Sequence, residues 1–145
     1  MLVYDATIEI DAPIALVWQH LTDFSAYPDW NPFILEAEGN LREGAVVTFR
    51  VASLPMSLSA PITRLVPERE LTWEARMPMP GLQPRYIRRL EPLDAGRTRF
   101  INREEFTGWA TTLARPMMNI MLQALYAQTC EALKQRVEAA LAEAG

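Results

Sequence analysis

The stretch from Thr111 to Ala144 contains no glycine and one proline, Pro116. Nothing else in the chain constrains the fold as much. Met118, Leu122, Leu125, Thr129, Leu133, Val137 and Leu141 recur in steps of three or four, which places them on one face of a helix. Pro116 falls near the start, in the first turn or just after it, where backbone donors have no partner to lose. The two halves of this helix differ. From Met117 to Leu122 only Asn119 is polar, whereas Glu131, Lys134, Gln135, Arg136, Glu138 and Glu143 cover the outward side of the second half. A helix apolar nearly all round is enclosed by protein or by a hydrophobic ligand. The cluster Met117, Met118 and Met121 therefore reads first as core and second as a wall that a ligand touches.

A chain of 145 residues is the size of one domain and can bury a real core. Half of its residues are hydrophobic and 22% are charged, a globular rather than a disordered composition. A net charge of -4 argues against a nucleic-acid partner, whose phosphates call for a basic field. Arg85, Arg88 and Arg89 form only a local basic group. The opening residues lack a basic stretch and carry acids at positions 5, 9 and 11, so no secretory signal is read, and no apolar run reaches the roughly 20 residues that cross a bilayer. Cytoplasm is the default expectation. Cys130 is the single cysteine, which excludes an intramolecular disulfide, and its helical setting suggests a packing residue. No metal-ligand spacing and no phosphate-binding glycine loop is present, so neither a metal nor a cofactor is expected.

Leu2 to Ile10 alternates apolar and polar residues as a half-buried strand does. Asp11-Ala12-Pro13 then starts a helix, with Asp11 or Ala12 near its N-cap and the stripe Ile14, Val17, Trp18 and Leu21 facing inward. His20, the only histidine, lies at the edge of that stripe with no nucleophile implied nearby, and a surface or structural role is the expectation. Phe24 to Phe33, aromatic and twice interrupted by proline, should be a compact turn or second short helix that docks Tyr27, Trp30 and Phe33. Strands are expected near 34 to 38, 45 to 53, 57 to 66, 70 to 77, 84 to 92 and 97 to 107. Their short connections make an antiparallel meander. The proline-rich link from Met77 to Pro84 either folds back onto the core or edges a pocket mouth.

Taken together, Ile8-Glu-Ile-Asp-Ala-Pro13, Val17-Trp18, Leu21-Thr-Asp23, Tyr27-Pro-Asp-Trp-Asn-Pro32, Leu90-Glu-Pro-Leu93, Gly96-Arg-Thr98 and Glu105-Phe-Thr-Gly108 before a long last helix resemble the SRPBCC superfamily. These are START-related, polyketide cyclase/dehydrase-like helix-grip proteins. The resemblance covers essentially the whole chain, residues 1-145, and its motifs are caps, turns and packing aromatics that speak for fold far more than for activity. It implies an α+β helix-grip fold: a curved seven-stranded antiparallel sheet around the long C-terminal helix, with two short helices after the first strand. It also implies a cavity between sheet and helix, used in different members for lipids, sterols, plant hormones, polyketide intermediates or quinones.

Strand alternation indicates which residues would face such a cavity. With Leu90 inward, Tyr86 and Arg88 share its side; with Phe100 and Phe106 inward, Asn102 and Glu104 do too. The turn at Asp94 to Gly96 pairs Arg88 with Asn102 and Tyr86 with Glu104. A bulge would slip this register by one, turning Arg88 and Glu104 to solvent and Arg89, Arg99, Arg103 and Glu105 inward. In the first register Phe49, Trp73, Tyr86, Arg88, Phe100, Asn102, Glu104, Met118, Met121 and Leu122 are the candidate ligand-binding residues, around a cavity of about 300 to 1,000 Å³. The expected function is binding or transport of a small lipid-, quinone- or polyketide-like molecule. The alternatives are a cyclase or dehydratase drawing on Arg88, Tyr86 and Glu104, and a protein-interaction module with a filled core and an outer apolar patch. No catalytic residue is assigned.

Overall fold

A computed structural model describes residues 1–145. Strand β1 (Leu2–Ile10) is followed by helix α1 (Ile14–Thr22), a single 3-10 turn (Phe24–Ala26) and the one-turn helix α2 (Tyr27–Trp30). Strands β2 (Ile34–Glu38), β3 (Val46–Val51), β4 (Ser57–Val66), β5 (Glu70–Glu74), β6 (Gln83–Asp94) and β7 (Arg97–Thr107) come next. Helices α3 (Thr111–Leu122) and α4 (Leu125–Ala144) end the chain. All seven strands form one antiparallel sheet in the order β1-β7-β6-β5-β4-β3-β2. Consecutive strands from β2 to β7 pair in order, and only β1 leaves the meander to lie against β7. Register shifts occur at Ile34/Glu36, Ile62/Arg64 and Pro92/Asp94, and bulges of this kind bend a sheet and sharpen its twist.

The helix expected over 111–144 is interrupted. Residues 123 and 124 form a turn that separates α3 from α4, with neither glycine nor proline at the break. Just beyond it, Tyr126 is tied to β7 twice: its hydroxyl donates to Glu104 Oε1, and its carbonyl accepts from Asn102 Nδ2 at 3.2 Å. A helix bends where such side chains pull a turn out of line. Pro116 lies inside α3 on its exposed side, where it removes the N–H that would pair with the Thr112 carbonyl. Helix α1 begins one residue later than Asp11-Ala12-Pro13 suggests, with Pro13 extended at the N-cap position.

Two hydrophobic cores result. The smaller gathers Ile10, Val17, Leu21, Leu90, Phe100, Cys130, Leu133 and Val137 where α1 and α4 close one end of the sheet. Burial pushes the Cys130 thiol up to about 12, which makes it an inert packing group. The larger core lies in the concavity of the sheet and includes Tyr27, Phe33, Phe49, Trp73, Tyr86, Phe106, Met118 and Tyr126. Trp18 and Trp30, each half-buried, pack against both. The Asn31 side chain locks the exit from α2 by accepting from the backbone of Phe33 at 3.0 Å and of Ile34 at 2.8 Å. Tyr27, fully buried, donates to the Leu21 carbonyl. His20 stays at the half-exposed edge of α1, where burial first and Arg136 second lower its pKa.

Candidate functional site

Pairing of β6 with β7 sets Arg88 opposite Asn102 and Tyr86 opposite Glu104. All four are buried, so the register that turns Arg88 and Glu104 inward is the one formed, and the bulge at Pro92/Asp94 lies beside the turn without slipping it. Period-two alternation then puts Leu90, Arg88 and Tyr86 of β6 on the concave side together with Phe100, Asn102, Glu104 and Phe106 of β7.

Between this concave face and α3 lies a cavity of about 130 Å³. Phe49, Trp73, Tyr86, Glu104, Met118, Met121 and Leu122 line it, as do Phe33, Leu58, Leu82, Phe106 and Met117. Its rim is formed by the link between β5 and β6, by α3 and by the β3–β4 turn, through Met77, Met79, Met117, Met121 and Leu54. The cavity is smaller than the 300 to 1,000 Å³ anticipated from sequence. Aromatic packing accounts for the difference: Phe33 inserts between Tyr86 and Tyr126, at centroid separations of 5.7 and 5.3 Å, and Phe49 stacks on Trp73 at 4.9 Å. A dry apolar space of this order accommodates a group the size of a benzene ring.

Three of the ten candidate residues lie elsewhere. Phe100 belongs to the smaller core, beneath Leu133 and Cys130, because α4 packs directly on that end of β7. Arg88 and Asn102 point to the concave side but sit behind the cavity lining. Asn102 is tied at both ends of its amide: its Oδ1 accepts from the Tyr86 hydroxyl at 2.5 Å and its Nδ2 donates to the Tyr126 carbonyl.

Arg88 is the least ordinary side chain in the molecule. It is 1% exposed, and none of its three guanidinium nitrogens has a hydrogen-bond acceptor. No ion pair joins it to Glu104. Instead the guanidinium stacks 3.8 Å from the Trp73 ring centroid and 4.2 Å from that of Tyr86, a cation held by two π faces. The Tyr27 oxygen attracts it without meeting hydrogen-bond geometry. Burial lowers the pKa of Arg88, and Tyr27, Tyr86 and Glu104 oppose that shift.

Glu104 is the only charged residue in the cavity wall. Burial pushes its carboxyl up to about 7, against the opposing pull of the Tyr126 hydrogen bond and of Arg88. Burial likewise raises Tyr126, Tyr86 and Tyr27, the last to about 12, so these phenols act as neutral donors. Tyr126 stacks on Tyr4 at 5.8 Å, and Tyr4 in turn donates to Asn119 of α3 at 2.6 Å. A chain of contacts thus runs from the buried carboxyl to the helix that covers the cavity. Chemically, this carboxyl can give or take a proton near neutrality at the inner end of an apolar space.

Tyr126 and Phe33 are absent from the sequence-based set of site residues. Tyr126 carried a signal: it lies four residues after Leu122 and seven before Leu133, on the inward face. Phe33 was legible as a docked aromatic but not as a plug.

A curved seven-stranded antiparallel sheet gripping a bent C-terminal helix, with short helices after the first strand, defines a START-like helix-grip protein of SRPBCC type. Residues 1–138 match the model of the polyketide cyclase/dehydrase and lipid transport family, and the chain belongs to that family. Among solved structures, the Zhui aromatase/cyclase from Streptomyces sp. R1128 superposes with a TM-score of 0.78 at 21% identity, over 94% of this chain and 93% of that one. A START superfamily protein from Mycobacterium smegmatis gives 0.74 at 17% identity, over 94% and 97%. A protein from Thermobifida fusca gives 0.73 at 22%, over 94% and 93%. At these identities the likeness is one of fold. No curated protein sequence matches the chain.

Proposed function

We propose that the protein binds a small, mostly hydrophobic molecule, of lipid, quinone or polyketide type, in the cavity between the sheet and α3. The observation that carries this reading is an apolar cavity with one buried carboxyl, Glu104, at its inner end. Such sites commonly combine an apolar lining with a few placed polar groups that fix orientation. A ligand larger than one ring needs α3 and the link between β5 and β6 to move outward. Only Thr111, Met118 and Leu122 of the twelve residues of α3 are buried, so that helix has little to lose by moving. The family description, which joins cyclase, dehydrase and lipid transport, supports the ligand class without choosing a member of it.

The second reading is an enzyme of cyclase or dehydratase type. Glu104 favours it, because a carboxyl poised near neutrality and backed by the Tyr126 hydroxyl suits general acid or base work on a bound carbonyl compound. A displacement titration with an apolar fluorescent dye and fatty acids of graded length tests the binding reading, and native mass spectrometry of the purified protein identifies a retained ligand. Absence of both dye binding and a retained molecule, with the protein folded, rejects it.

A further inference from the structure

The α3 helix has three distinct faces. Ala114, Met118 and Leu122 point to the larger core. Thr112, Arg115, Asn119 and Gln123 form a polar strip. Leu113, Met117, Ile120 and Met121 make the third face, at spacings that align them, and they are 78, 57, 87 and 39% exposed. Trp109, 72% exposed, precedes this face and packs its indole over Gly81, where any side chain would collide with it. The backbone of Ala110 donates to the Gly81 carbonyl at 2.9 Å, joining α3 to the link between β5 and β6, where Met79 is also exposed. Seven of the twelve large hydrophobic residues exposed in the molecule lie in the three segments around the cavity mouth, residues 52–63, 75–86 and 107–130. Apolar side chains exposed singly need no explanation, whereas a contiguous group of this kind marks an interaction surface.

Charge is segregated in the same way. Those three segments contain Arg76, Arg85 and Arg115 and no aspartate or glutamate, although the chain has 18 acidic residues. Arg76 and Arg115 have no carboxylate partner, and Arg85 has only a 3.8 Å contact with Glu105. The net negative charge therefore resides away from the mouth.

From this juxtaposition we infer that the mouth end of the protein docks on the surface of an anionic lipid bilayer, with the outer face of α3 and Trp109 entering the interface and Arg76 and Arg115 meeting the headgroups. An amphipathic helix with an aromatic residue at its end, one arginine on its polar strip and a second on the neighbouring link is suited to lie in that plane. Anionic headgroups attract the arginines, while the acidic remainder of the surface keeps the rest of the molecule off the membrane and so fixes its orientation. Met79, Met117 and Met121 belong both to this exposed surface and to the cavity rim, so an apolar molecule would pass between bilayer and cavity without crossing water. The inference does not depend on what the cavity holds.

The test is flotation of the full chain with vesicles of phosphatidylcholine alone and of phosphatidylcholine with one third phosphatidylglycerol, at low and high salt. Binding to the anionic vesicles is expected, weakened at least tenfold by high salt or by Arg76→Glu with Arg115→Glu, and at least tenfold by Leu113→Ser with Ile120→Ser. All four positions are exposed, and circular dichroism melts establish that the variants fold. Trp109 emission should shift to the blue on anionic vesicles, and Trp109→Phe should remove most of that shift. No flotation with anionic vesicles overturns the inference, as does equal binding by the serine variant. Flotation equally strong on neutral vesicles removes the role of the arginines. Sedimentation showing a dimer that becomes monomeric on Ile120→Ser assigns the face to a second copy instead. Salt-sensitive binding to polyglutamate without vesicle binding assigns it to an acidic protein. Failure of the dye titration, in contrast, leaves this inference standing.

Discussion

Tyr126 and Glu104 meet as a neutral phenol and a carboxyl held near neutrality, the phenol donating to Glu104 Oε1 across 2.5 Å at the inner end of the cavity. Asn102, the preceding inward residue of β7, holds the carbonyl of the same tyrosine. The first turn of α4 is therefore fixed to the sheet at the point where the C-terminal helix breaks. Buried polar contacts of this kind specify one arrangement of helix on sheet, and they carry a pH dependence with them.

That dependence has a definite sign. The carboxyl of Glu104 titrates near 7 in the folded protein and near 4.5 when free, so the protonated form favours folding. Its contribution is fully present below about pH 4.5 and is lost as the pH rises through about 7, a change on the order of 3 kcal/mol for a displacement of that size. Glu104→Gln keeps an acceptor for Tyr126 and removes the charge. Urea denaturation between pH 5 and 8 should show the parent losing stability relative to this variant as pH rises; parallel curves would place Glu104 in a more hydrated setting.

Arg88 gives a second test, through the contrast between two replacements. An ion pair with Glu104 would make every substitution costly. Stacking between Trp73 and Tyr86 without hydrogen bonds leads to a different result. Arg88→Ala should lower stability by about 3 kcal/mol through the gap it leaves between the rings. Arg88→Met should fill that gap and stay within about 1 kcal/mol of the parent, because a buried cation contributes little net stability. Since Arg88 opposes the upward shift of Glu104, both variants should also move the Glu104 titration to higher pH, measured by carbon NMR of the carboxyl.

Fold and site differed in how far they could be read from sequence, for a physical reason. Strand limits such as 57–66 and 97–107 follow from alternation and turn residues, and the pairing of Arg88 with Asn102 follows from a short turn, all of which are local. Burial of Arg88 and Glu104 was legible as one of two registers, the one in which period two sets them on the same side as Leu90, Phe100 and Phe106. Cavity volume was not, since it depends on how Phe33, Tyr86 and Tyr126, distant in sequence, interlock in the concavity. Nor was the break after Leu122, which has no glycine or proline to announce it and arises from contacts made by Tyr126 with β7. Phe100 was misplaced because alternation assigns a face of the sheet but not a position along the strand relative to the covering helix.

Trp30 tests the short helices. It packs edge-on to Tyr27 at 5.3 Å and touches both cores, yet it is only half-buried and its indole nitrogen lacks a partner. Trp30→Ala should cost about 2 to 3 kcal/mol, less than a fully buried tryptophan. Trp30→Phe should recover most of the loss, as no indole hydrogen bond is forfeited. Thermal melts of the two variants check the order; equal destabilisation would mean that the indole nitrogen has an acceptor.

The cavity itself is tested by closing it. Leu122 is buried at the end of α3, lines the cavity and precedes the break, so a larger side chain there must either occupy the space or push α3 outward. Overpacking a dense core costs about 1 to 3 kcal/mol, whereas filling an existing cavity largely avoids that cost. Leu122→Trp should accordingly melt close to the parent and bind an apolar dye at least tenfold more weakly. Tyr4→Phe separates space from motion: it removes the 2.6 Å hydrogen bond to Asn119, leaves the lining unchanged and frees α3. Dye on- and off-rates should both rise in that variant while affinity stays within a few-fold, and amide exchange should quicken in α3 more than in α4. Unaltered dye binding by Leu122→Trp would place the ligand outside this cavity, and unaltered exchange rates in Tyr4→Phe would mean that α3 is held by its core-facing residues alone.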